Sequence, residues 1–146
     1  MVVFMAEVID GANAVLGRLS SIAASKALAG EKVWIVNAEK IVVSGKKENT
    51  IAKLQHRIDL KAKGNPRKGP KYSRAPHKIV WEAIEGMMPN SRRGEKAIKN
   101  VRVFIGVPGE LKGKEKEIKK LEFAEKKFKA KSMTIGELSE HFGMKF

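Results

Sequence analysis

The sequence predicts a single α/β domain built round a small, mostly parallel sheet, with a basic loop and a helical C-terminal extension from about residue 110 to 146. Three observations carry that reading. Short apolar runs alternate with stripes at helical spacing along the chain. The run Val33, Trp34, Ile35, Val36 is continuously apolar, as expected of a strand covered on both faces. At 146 residues and 42% hydrophobic content, the chain suffices for one core and not two.

The first strand is read at Ala6 to Asp10, ended by Gly11. A helix follows with Asn13 as its N-cap and Leu16, Leu19, Ile22, Ala23 and Ala27 as its buried stripe, and Gly30 stops it. After the strand at Val33, the run Ile41, Val42, Val43 comes too soon for a parallel crossover. It either continues the preceding strand or pairs elsewhere.

From about Glu48 to Ala62 the pattern is helical, with Ile51, Leu54 and Ile58 on one side. Lys53, Arg57 and Lys61 form a cationic row on the other. The stretch from Gly64 to Pro76 has turn chemistry and no apolar face, so it is read as an irregular loop. Pro76 then opens a helix to about Met88, with Ile79, Val80, Ala83, Ile84 and Met87 inward. Ser91 is placed to cap a short helix before a strand at Val101 to Ile105. Beyond it, Leu111, Ile118, Leu121 and Phe128 give a thin helical stripe in a Lys- and Glu-rich tail. Thr134 and Glu137 form a capping box, Met133 and Leu138 its hydrophobic staple, and Gly143 closes the last helix.

Charge is the strongest functional signal. Lys and Arg number 30 against 16 Asp and Glu, for a net +14, which favours a polyanionic partner. Its distribution is uneven. Residues 1–45 are neutral, whereas residues 61–102 hold twelve basic against three acidic side chains, a balance of +9. The candidate contacts there are Lys61, Lys63, Arg67, Lys68, Lys71, Arg74, Lys78, Arg92, Arg93, Lys96, Lys99 and Arg102, with Tyr72 among them. Arg18, Lys46, Lys47, Lys53 and Arg57 extend the set. Such cations neutralise phosphates, and an aromatic ring can stack on an unpaired base. Tyr72 is open to two readings, a stacking platform or a core anchor.

Other classes find less support. Without cysteine, and with His56, His77 and His141 far apart, no disulfide, thiol nucleophile or metal ligand set is expected. No apolar run is long enough to span a membrane, and Glu7 comes too early for a signal peptide, so a cytosolic protein is the expectation. The turn from Gly11 to Arg18 joins strand to helix but lacks both G-x-G-x-x-G and the Gly-Lys-Ser/Thr ending. A nucleotide-dependent enzyme using that turn is one alternative; a DNA-binding or anionic-membrane protein is the other. No catalytic grouping stands out.

Several motifs carry a family resemblance by their order and spacing. They are Val8-Ile9-Asp10-Gly11 with Leu16-Gly17-Arg18-Leu19, and Val36-Asn37-Ala38-Glu39-Lys40 with Ser44-Gly45. Gly69-Pro70, Arg74-Ala75-Pro76, Gly86-Met87-Met88-Pro89 with Arg93-Gly94, and Val101-Arg102-Val103-Phe104 with Gly106-Val107-Pro108 follow. Together these resemble the universal large-subunit ribosomal protein thirteen, in its archaeal form, over nearly the whole chain. Glu85 and Met88 depart from the pattern, where that family usually has arginine and leucine. The resemblance implies a three-layer α/β/α fold and a structural, cytoplasmic role in the large ribosomal subunit. Its implied partners are large-subunit rRNA and neighbouring large-subunit proteins, with no cofactor, catalytic residue, membrane or small-molecule substrate. Carried over by position, the basic loop and the Arg92-Arg93-Gly94 turn become rRNA contacts.

Overall fold

The first strand, β1 (Glu7–Asp10), lies in the middle of a four-stranded parallel sheet, and the order of its neighbours decides where everything else goes. The computed structural model describes residues 6–60, 62–111, 118–125 and 131–146. Lys61 and Phe128 lie outside the described residues. The remaining strands are β2 (Val33–Val36), β3 (Val42–Ser44), β4 (Val101–Val103), β5 (Ile118–Lys120) and β6 (Ser132–Thr134). The helices are α1 (Leu16–Leu28), α2 (Lys47–Asp59), α3 (Pro76–Glu85), α4 (Arg92–Ile98) and α5 (Ile135–His141). The main sheet has the order β4-β2-β1-β5.

Stepping from β1 to β2 and from β2 to β4 moves in one direction across the sheet, so right-handed crossovers stack their helices on one face. Ile9, Val33, Ile35 and Val101 there meet Leu19, Ala23, Val80, Ile84 and Ala97 of α1, α3 and α4. The step from β4 to β5 returns across the sheet and runs over the other face. Val8 and Val36 are covered there by Leu111, with Trp34, Phe104, Val107 and Ile118 around them. Among the described residues the third layer is one turn of 3-10 helix, Gly109–Leu111.

Ile41 to Ser44 does not continue β2. Asn37 takes a left-handed conformation (φ 57°) and a 3-10 turn, Ala38–Lys40, redirects the chain. β3 then pairs antiparallel with β6 in a separate ribbon, and α5 follows directly.

Three expectations need correction. Asn13 is not the cap of α1: its φ is 58°, and the helix begins three residues later behind Val15. Tertiary pairing claims that stretch first, since Ala14 bridges Glu125 and Val15 bridges Val42. In the tail, Ile118–Lys120 is a strand, not part of a helix, because β1 needs a second neighbour and the register Val8 to Ile118 supplies it. Met87 is 46% exposed because α3 ends at Glu85, before the position that would have turned it inward.

Other local signals act as read. Gly30 (φ 95°) ends α1 with its N–H on Ala27 O and the Glu31 N–H on Lys26 O, a paired termination that glycine accommodates without a Cβ clash. Thr134 Oγ1 accepts from the Glu137 N–H at 3.2 Å. The reciprocal half of that box is missing, since the Glu137 carboxylate pairs with Lys47 at 2.7 Å.

Glu7 joins three elements, accepting from Lys26 on α1 and from Lys119 on β5. The hydrogen bond from Lys26 holds its carboxyl below the ordinary glutamate value, desolvation opposes this, and Lys119 adds to the lowering. A carboxyl with a lower pKa in the folded state stabilises fully above its unfolded value, about 4.3, and that contribution is lost as pH falls through the folded value. Glu7→Gln is therefore expected to be less stable than the parent in urea titrations near neutrality. The two curves should converge in acid, and a gap that persisted there would contradict the assignment.

Candidate nucleic-acid interface

Every described cation in the candidate set is exposed, as is Tyr72 at 39%. The fold does not gather them into one patch. Lys46, Lys47, Lys53 and Arg57 follow the C-terminal end of β2, as do Lys63, Arg67, Lys68, Lys71, Arg74 and Lys78. Arg92, Arg93, Lys96 and Lys99 precede the N-terminal end of β4, which runs parallel to β2, so they belong to the opposite end of the sheet. Helix α1 runs between these ends. Its 13 residues correspond to about 20 Å.

At the first end, α2 buries no residue fully and keeps Ile51, Leu54 and Ile58 half-buried beneath its cationic side. The loop after it is more structured than its composition predicts. Asn65 N–H donates to Ala62 O, Lys68 N–H to Asn65 O and Gly69 N–H to Pro66 O, so successive turns fix residues 62–69. A Cβ on Gly69 would come within 3.1 Å of Ala62 N. Further on, the Ser73 N–H donates to Glu82 Oε1 and the Ala75 N–H to Ser73 Oγ, tying the loop to α3. Tyr72 is no core anchor. Its ring lies at the surface with the Arg57 guanidinium 6.0 Å from its centroid.

The opposite end depends on one close approach. A Cβ on Gly94 would sit 2.0 Å from Pro89 O, so only glycine lets α4 start where it does. Arg92, Arg93 and Lys96 line a groove of ≈ 340 Å³ against Ala27, Leu28 and Gly30. Arg93 also donates to Leu28 O at 3.4 Å, near the C-terminal end of α1 where cations are favoured. Glu85 shares a pocket of ≈ 520 Å³ with Glu95, Met88, Ile98 and Lys99.

Arg18 stands at the start of α1, 5.8 Å from the ring of Phe123, which is 71% exposed. The nucleotide reading of this turn meets a crowded site. Asp10 Oδ1 accepts from the Ala12 N–H and from Asn37 Nδ2, and the Val15 N–H donates to Ala124 O. A Cβ at Gly11 would meet Ile41 at 2.7 Å. The crevice beside the C-terminal end of β1, where open α/β sheets take ligands, is filled by the chain itself. No His, Asp and Glu grouping that could hold a metal ion occurs among the described residues.

Sequence reading passed over Phe123, Lys32 and Trp34. Lys32 immediately precedes β2, Trp34 is the second residue of that strand, and Arg102 lies directly opposite Trp34 in the β2–β4 register. A lysine two residues before a tryptophan was the available signal. It becomes legible only once the strand pairing is known.

Residues 5–110 match a protein-family model described as ribosomal protein L13. The chain belongs to the ribosomal protein L13 family. Similar proteins include the large ribosomal subunit protein uL13 of Methanosphaera stadtmanae, 42% identical over 97% of this chain and 100% of that one. The uL13 of Methanocaldococcus jannaschii is 40% identical over 95% of this chain and 98% of its own. In Caenorhabditis elegans a protein of the same name is 43% identical over 69% of this chain and 50% of its own length. The resemblance carried by the motifs is thereby confirmed, archaeal relatives included. L13 proteins are structural components and not enzymes.

Proposed function

We propose that this chain is a structural constituent of the large ribosomal subunit, where it binds and stabilises large-subunit rRNA during assembly and in the mature, cytoplasmic ribosome. One observation carries the reading. None of the described cations between Lys53 and Lys99 makes an ion pair within the protein, so their charge is available to phosphates. Their division between two ends of the sheet suits a rigid body that holds two rRNA elements, through phosphate neutralisation and shape more than base reading. Neighbouring large-subunit proteins complete its surroundings. No helix is long and apolar enough to cross a membrane among the described residues.

Binding to large-subunit rRNA at increasing salt tests this. With about six phosphates neutralised, log affinity should fall against log salt with a slope of roughly −4 to −6. A slope near −1, or equal affinity for rRNA, duplex DNA and anionic vesicles, would refute the reading.

A further inference from the structure

The geometry points to a binding site for one unstacked RNA nucleotide in the cleft of Lys32, Trp34, Lys99, Asn100 and Arg102. The inference rests on the rRNA-binding reading and names a place within it. The cleft has a volume of ≈ 120 Å³ and opens beside β4, an edge strand of the sheet.

Its parts come from three stretches that the sheet brings together. Trp34 and Arg102 are register partners on adjacent strands, and the guanidinium lies 5.9 Å from the indole centroid. Phe104 meets Trp34 edge-on at 5.6 Å and fixes the ring from behind. Arg102 is exposed and its guanidinium lies within cation–π range of the indole, so a base can stack on its planar cationic surface. Lys32 and Lys99 also line the cleft, and the exposed Lys99 is the further cation that can meet a flanking phosphate. Asn100 is held at its backbone, its N–H on Ala97 O and its C=O accepting from the Val33 N–H. Its side-chain amide has no partner among the described residues, leaving a donor and an acceptor for a base edge.

The charge of the lining selects the class of occupant. Among the described residues, three cations and no carboxylate line the cleft, in a protein whose nearby α4 already presents exposed cations. An acidic peptide is the competing occupant, but it has no flat π surface to place on the Arg102 and Trp34 stack.

Tryptophan emission reports on this site directly, because the chain has two tryptophans and Trp81→Phe leaves Trp34 alone. Titration of that variant with transcribed large-subunit rRNA should quench Trp34 emission in step with binding followed by gel shift. Lys99→Gln with Arg102→Gln should abolish the quench and lower affinity about fiftyfold near 0.1 M salt. If Trp81→Phe fails to fold, comparing the parent with Trp34→Phe gives the same signal by difference. Unchanged Trp34 emission while rRNA binds would overturn the site and leave the rRNA reading standing. Failure to bind rRNA at all would overturn both. An equal quench by polyglutamate would show that charge alone fills the cleft, and would overturn the nucleotide assignment.

Discussion

Replacing Arg92, Arg93, Lys96 and Lys99 together by glutamine is expected to weaken binding to large-subunit rRNA about two-hundredfold near 0.1 M salt, and to reduce the salt slope by about 2 to 3, the share of half the phosphates. All four are exposed, and none supplies buried apolar surface, so the circular dichroism spectrum should stay that of the parent. The matching set at the other end, Lys53, Arg57, Lys63 and Arg67, should lose a similar factor. The two sets are separated by the length of α1, about 20 Å, so they meet different phosphates and their losses should multiply. Filter binding across a salt series decides the matter. A loss confined to one set would mean that rRNA meets only one end of the molecule.

Ile35→Ala is expected to have the largest effect on folding. Ile35 is 0% exposed on β2, between β1 and β4, and faces the α1, α3 and α4 layer. Truncation there leaves a cavity that the flanking strands cannot close, and costs about 2 to 5 kcal/mol. Against a total stability of about 5 to 15 kcal/mol, that is a large part of the whole. The urea midpoint should fall while the slope of the transition stays constant. An unchanged midpoint would show that the core is not centred on β2.

How far the sequence discloses these features depends on whether each is set locally or across the chain. Helix α1, the glycine at its end, Pro76 at the start of α3 and Thr134 at the start of α5 all answer to neighbouring residues, and periodicity and capping chemistry expose them. Strand β5 does not. Three residues, Ile118 to Lys120, carry too little pattern to overcome the helical spacing around them, and only the vacant edge of β1 makes them a strand. The same division holds for the interface. Exposed cations could be counted along the chain, but their separation into two ends follows from strand direction. The Trp34 and Arg102 pair joins residues 68 positions apart through the β2–β4 register. Tyr72, with two physical roles open to it, is decided only by where the fold leaves its ring.

The parallel contact between β1 and β5 also sets a timetable. Val8 pairs with Ile118, Ala14 with Glu125, and Val42 with Thr134, so early segments of the chain that already have one early partner find their second only among the latest. Contacts so distant in sequence slow folding. At about 5 to 20 residues per second of synthesis, the cations up to Arg102 are made before the strand that flanks β1. For that interval β1 presents a row of unpaired amides and carbonyls on one side. The domain is thus finished from its end backwards, and its first strand is among the last to be enclosed.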